Sequence, residues 1–132
     1  TTEIYTLSLH DALPISLNYG HTFGHVIENE TNYNTYLHGE AVAIGICMAN
    51  DTSVKIGIMT QEESDRVKNL LQKYDIPTTY EIKDVEDFYE HFFLDKKSLD
   101  NKIKFILASG LGDCDITDEV LKEDIISVLK AF

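Results

Sequence analysis

Two cysteines, two prolines and no tryptophan in 132 residues set the first limits. Cys47 and Cys114 are too few and too far apart for a disulfide framework or a metal-type spacing. Cysteine usage of this kind predicts a reducing compartment, the cytoplasm. Positive charge is scarce as well: 11 Lys and Arg stand against 23 Asp and Glu, a net charge of −12. That balance disfavours nucleic acid and anionic membrane surfaces as partners. It leaves room for an anionic small molecule, since a few Lys, His and backbone N–H groups make a local positive site. No long apolar run is present: the longest, AVAIGICMA, is too short to span a bilayer. The N-terminus lacks a basic region followed by an apolar one, so it does not read as a secretory signal. There is no repeat, low-complexity tract or linker. What remains is ordinary for one globular domain with a real core, at 43% hydrophobic and 10% aromatic residues.

The first 16 residues, TTEIYTLSLHDALPIS, carry no interpretable pattern. His10, Asp11 and Ser16 invite a Ser-His-Asp reading, which we reject. With one codon choice per residue, residues 1–15 back-translate into a string that looks like a common short-read sequencing adapter in frame. We therefore read residues 1–16 as foreign and residues 17–132 as the native part, entered in mid-protein, and leave the former out of fold reasoning. The competing reading is a native strand, IYTLSL. Removing residues 1–16 is expected to leave the helical content and melting temperature of the remainder unchanged, and a large loss of thermal stability would contradict the reading.

From Leu17 the pattern is helical with short breaks. LNYGHTFGHVIENE has helical spacing, with Leu17, His21, Gly24, His25 and Glu28 near one face. TNYNTY is a polar loop. HGEAVAIGICMANDTSVKIG reads as a central buried helix whose small residues permit close packing. Thr60 and Glu63 form a capping box for an amphipathic helix carrying Val67, Leu70 and Leu71, stopped by Pro77. Asp84 caps VEDFYEHFFLDKK. KIKFIL alternates like a strand, and GLGD follows as a turn. Thr117 is placed as the cap of a last helix, DEVLKEDIISVLKAF. The expected class is mainly α, with one short strand pair.

The chemistry is concentrated in residues 18–40. His21 and His25 are four apart, about 400° on a helix, so both imidazoles sit on one face a turn apart. That spacing suits a chelated metal, or one ligand beside one acid/base group. Gly20 and Gly24 precede the two histidines. Glycine inside a helix costs roughly 1 kcal/mol against alanine, so a ligand or a backbone is expected to come close there. His38 opens the next helix, placed to close a site made by the preceding one. Neutral imidazole suits zinc, cobalt or iron. Glu28 reads equally as a group orienting an imidazole and as a solvated helix charge. Glu40 reads as structural, and Cys47 as a buried small hydrophobe.

LNYGHTFGHVIE followed by LHGEAVAIG closely resembles the signature of the 3-dehydroquinate synthase family, and DKKSLDNKIKFIL resembles a later segment of it. The resemblance covers the chain from Leu17 onward and implies the helical C-terminal domain of a two-domain enzyme, an α/β NAD-binding domain preceding it. That family converts 3-deoxy-D-arabino-heptulosonate 7-phosphate into 3-dehydroquinate and phosphate in the shikimate pathway. Carried over by motif, His21 and His38 are expected metal ligands, for zinc or cobalt. His25 is the expected proton acceptor near the substrate phosphate. Asn18 and one of Lys96 and Lys97 are expected to bind substrate. The resemblance further implies NAD held mainly by the preceding domain, together with a glutamate ligand from it, and a homodimeric parent. The family has an arginine four residues before the asparagine, where this chain has Pro14, inside the adapter-like stretch. The alternatives are another sugar-phosphate cyclase of the 2-deoxy-scyllo-inosose synthase kind, a metal-dependent polyol or alcohol dehydrogenase, and a helical domain inactive by itself.

Overall fold

The computed structural model describes residues 18–93 and 103–132. Five helices and one strand pair follow in order among them: α1 (His21–Glu30), α2 (His38–Lys55), α3 (Gln61–Lys73), α4 (Val85–His91), β1 (Phe105–Ala108), β2 (Cys114–Thr117) and α5 (Lys122–Lys130). β1 and β2 pair antiparallel, from Phe105 opposite Thr117 to Ala108 opposite Cys114. The mainly helical class with one short strand pair is what the periodicities predict. Asp95, Lys96 and Lys97 lie outside the described residues.

α2 is the central element. Ala41, Ala43, Ile44, Gly45, Cys47, Met48 and Ala49 are all buried along it, and α1, α3, α5 and β1 pack on it. α1 contributes Phe23, Val26 and Ile27 to the core, α5 contributes Ile125 and Leu129, and β1 contributes Phe105 and Leu107. Phe23, Phe92 and Phe105 form a triangle of rings whose centroids are each 5.4 Å apart. Such pairs add directional attraction to area burial. Phe23 thereby fixes the rotation of α1, and with it the direction in which the flanking histidines face.

The glycines before the histidines answer to backbone, not ligand. A Cβ on Gly45 of α2 would lie 2.1 Å from the Gly20 carbonyl oxygen and 2.8 Å from the Gly24 nitrogen. A Cβ on Gly24 would lie 3.2 Å from the Ala41 oxygen. α1 and α2 therefore cross with their main chains almost in contact. Gly20 is also not inside the helix, as the sequence spacing suggests. It is the N-cap, with φ of 81°, a left-handed conformation that glycine adopts at little cost.

Two further expectations change. Thr117 does not cap the last helix. Its backbone ends β2, and its hydroxyl accepts from the Glu119 amide at 3.2 Å. That local turn competes with helix formation, so α5 begins only at Lys122 behind an N-cap Leu121. Leu70 of α3 is exposed, and Ser64 is the one buried residue of that helix. α3 is held more by its ends than by an apolar stripe. Thr60 and Glu63 make the expected capping box, and the Glu63 carboxylate also accepts from the Leu111 amide at 3.1 Å, tying α3 to the β-turn. Donation from Thr60 and then from Leu111 holds the Glu63 carboxyl below its ordinary range.

Candidate functional site

α1 ends in a tight reversal. The Tyr33 amide donates to the Glu28 carbonyl at 2.8 Å, and Asn32 and Tyr33 both take positive φ. The chain turns back on itself, and His38, the first residue of α2, arrives beside the histidines of α1. The His21 and His38 ring centroids are 5.2 Å apart, His21 and His25 5.6 Å, and His25 and His38 6.4 Å. Three imidazoles from two helices thus form one cluster.

Glu28 stands behind two of them. It is 7% exposed, with Oε2 at 3.1 Å from His38 Nδ1 and Oε1 at 3.4 Å from His25 Nδ1. Behind His21 the partner is backbone, with Nδ1 at 3.4 Å from the Tyr19 carbonyl oxygen. For His38 and His21 the contact is a hydrogen bond, and a proton on Nδ1 there leaves Nε2 with a free lone pair. Carboxylate or carbonyl behind imidazole, with the opposite nitrogen open, is the arrangement that supports metal-binding histidines. Of the two readings of Glu28, burial and both contacts support the imidazole-orienting one. Glu40 is turned away: its Oε1 accepts from the Leu37 amide at 2.9 Å and caps α2. Cys47 is buried, and burial pushes its thiol up to about 11. It is a packing residue, not a nucleophile.

His21 and His25 border a cleft of about 640 Å³, a size usual for a small-molecule site. Asn18, His21 and His25 line one side, and Lys104, Ile106 and Ile116 line the other. Asn18 sits just ahead of α1, where its carbonyl accepts the His21 amide at 3.0 Å. Lys104 was missed by the sequence reading. The signal was the alternation of KIKFIL: Ile103, Phe105 and Leu107 are buried, so Lys104 and Ile106 necessarily share the opposite face. Lys104 is the one Lys or Arg lining this cleft among the described residues. An acidic protein thus presents imidazoles, an amide and an ammonium to a single pocket, as an anionic, hydroxyl-rich ligand requires.

The family model for the 3-dehydroquinate synthase C-terminal region matches residues 11–98. The chain belongs to that family. The matched range begins at Asp11, within the stretch set aside above, and extends through the histidine cluster to the DKK segment. Among curated relatives, the 3-dehydroquinate synthase of Sulfurimonas denitrificans is 62% identical over 117 residues, 89% of this chain and 34% of the relative. That of a Nitratiruptor species is 59% identical over 117 residues, again 89% and 34%. The chain therefore spans about a third of the length of the family's full enzymes. Among solved structures, 2-epi-5-epi-valiolone synthase from Streptomyces hygroscopicus, with NAD+ and Zn2+ bound, matches at a TM-score of 0.74 and 24% identity, over 86% of this chain and 31% of that one. The likeness is one of fold. A 2-deoxy-scyllo-inosose synthase complexed with carbaglucose-6-phosphate, NAD+ and Co2+ matches at 0.67 and 28% identity, over 86% and 34%.

Proposed function

We propose that this chain is the metal- and substrate-binding helical part of a 3-dehydroquinate synthase, a NAD- and metal-dependent lyase of aromatic biosynthesis acting in the cytoplasm as a homodimer. The observation that carries the reading is Glu28 backing His25 and His38 at once, with His21 joining the cluster to the cleft. The donor set fits a divalent ion, because the contact behind His38 and that behind His21 leave Nε2 open. His21 and His38, the closest pair of rings, would hold zinc or cobalt. Such an ion supplies Lewis-acid polarisation of the substrate oxygens.

The chain's own residues do the rest. Lys104 and Asn18 donate to the anionic and hydroxyl groups of the substrate, and this reading adds Lys96 or Lys97 to them. His25, half-exposed and one turn from His21, takes or returns a proton near the departing phosphate. Glu28 steadies His25 by accepting its Nδ1 proton, so that Nε2 faces the reacting group. Hydride transfer belongs to NAD, held by the part of the enzyme outside these residues.

Phosphate release by the full-length enzyme tests the reading. Turnover is expected with 3-deoxy-D-arabino-heptulosonate 7-phosphate and none with glucose 6-phosphate. The reverse preference would favour a deoxy-inosose synthase, and no release from either would overturn the reading. The 132 residues alone are expected to release nothing above buffer background, whatever NAD or metal is added. Two histidine ligands fall short of the three usual in catalytic zinc sites. Loss of the positioning that holds reactants together forfeits roughly 7–11 kcal/mol of barrier lowering. In the full-length enzyme, Glu28→Gln should weaken metal binding about 10–100-fold with no change in circular dichroism. Unchanged affinity by calorimetry would return Glu28 to the solvated-charge reading.

A further inference from the structure

We propose that Glu30, Asp87 and His91 form a second divalent-metal site, joining the end of α1 to α4 on the side away from the histidine cluster. One ligand atom from each of the three residues lies within 4.8 Å of the others. His91 Nδ1 is 3.7 Å from Glu30 Oε1 and 3.9 Å from Asp87 Oδ2. These gaps are too long for hydrogen bonds. They suit a shared ion, since ligands about 2.0–2.2 Å from zinc in tetrahedral geometry sit roughly 3.3–3.6 Å from one another.

An independent observation points the same way. His91 Nδ1 is buried and has no hydrogen-bond partner among the described residues. A buried polar nitrogen left unmatched is destabilising, and an ion between the three groups removes that penalty. Glu30 is already oriented for the role. The Tyr80 hydroxyl donates to Oε2 at 2.9 Å, which leaves Oε1 toward His91. Asp87 and His91 are one turn apart on α4, and Asp87, 63% exposed, opens the site to solvent. Burial raises the Glu30 carboxyl above its ordinary range, a penalty on its charge that a bound cation offsets.

One imidazole and two carboxylates suit zinc, cobalt or manganese better than calcium. Glu30 lies two residues beyond Glu28, about 200° round the helix, so the ion here and one at His21 and His38 occupy opposite faces of α1. Nothing lining the cleft belongs to the trio. The site is a structural clip: it pins α4, only seven residues long, to α1.

The test uses the 132-residue chain with His21→Ala and His38→Ala, so that the cluster cannot answer for the clip. Titration with Co2+, followed by calorimetry and visible absorption, should give saturable binding of one equivalent. Adding His91→Ala or Asp87→Asn should weaken it at least tenfold, and zinc should raise the melting temperature only while His91 is present. Absence of saturable binding, or binding indifferent to His91→Ala, overturns the proposal. If the double variant does not fold, His91→Gln in the otherwise native chain must remove the tighter of two binding events, and retention of both overturns it.

Discussion

In the full-length enzyme, His21→Ala and His38→Ala are each expected to abolish metal binding and to lower turnover by about a thousandfold or more. The magnitude follows from the several kcal/mol a Lewis-acid ion contributes to charge stabilisation, at 1.36 kcal/mol for each factor of ten. His25→Ala should behave differently. It should keep the metal and lose about 10²–10⁴-fold in turnover, the usual worth of a placed acid/base group. The split has a geometric basis: His21 and His38 have the closest ring centroids, at 5.2 Å, while His25 and His38 are 6.4 Å apart. Metal content by atomic emission and phosphate release on the same preparations decide it. If all three variants keep stoichiometric zinc, the ligand assignment is wrong.

Gly45→Ala is expected to destabilise the fold by about 3 kcal/mol or more, the upper end of what overpacking costs. The added Cβ would stand 2.1 Å from the Gly20 carbonyl oxygen and 2.8 Å from the Gly24 nitrogen. Both are backbone atoms of the turn and helix that aim the histidines, so no side chain can swing aside. At about 4 °C per kcal/mol, the value where the ranges for smaller and larger domains meet, the melting temperature should fall by about 12 °C. Gly39→Ala makes the control, because a Cβ there meets nothing within 4 Å. A Gly45→Ala variant that melts with the parent would mean that α1 and α2 do not cross this closely.

The contrast between those two glycines marks what the sequence makes legible. Local signals held: Thr60 with Glu63, and Asp84 ahead of α4, cap helices as their spacing predicts. The four-residue spacing of His21 and His25 places both rings on one helix face without reference to the rest of the fold. Gly20 and Gly24 announce a close approach, but that the approaching backbone belongs to α1 and α2 themselves depends on the crossing of two helices. Glu28 stays ambiguous in sequence because its meaning lies in His38, ten residues on and returned by a turn with two left-handed residues. Lys104 reaches the cleft only because the β1–β2 pair sets one strand face against it. Thr117 misleads for a physical reason: one hydroxyl serves equally to cap a helix or to close a turn, and strand pairing selects the turn.

The central claim is that His21 and His38 are the chain's share of a metal centre, with Glu28 behind His38 and not on the ion. An anomalous difference map at the zinc edge, from crystals of the full-length enzyme, tests it most directly. The account predicts one strong peak about 2.0–2.1 Å from Nε2 of both His21 and His38, with Glu28 still bonded to the far side of His38. A peak coordinated by the Glu28 carboxylate, or one beyond bonding distance of either histidine, would contradict it.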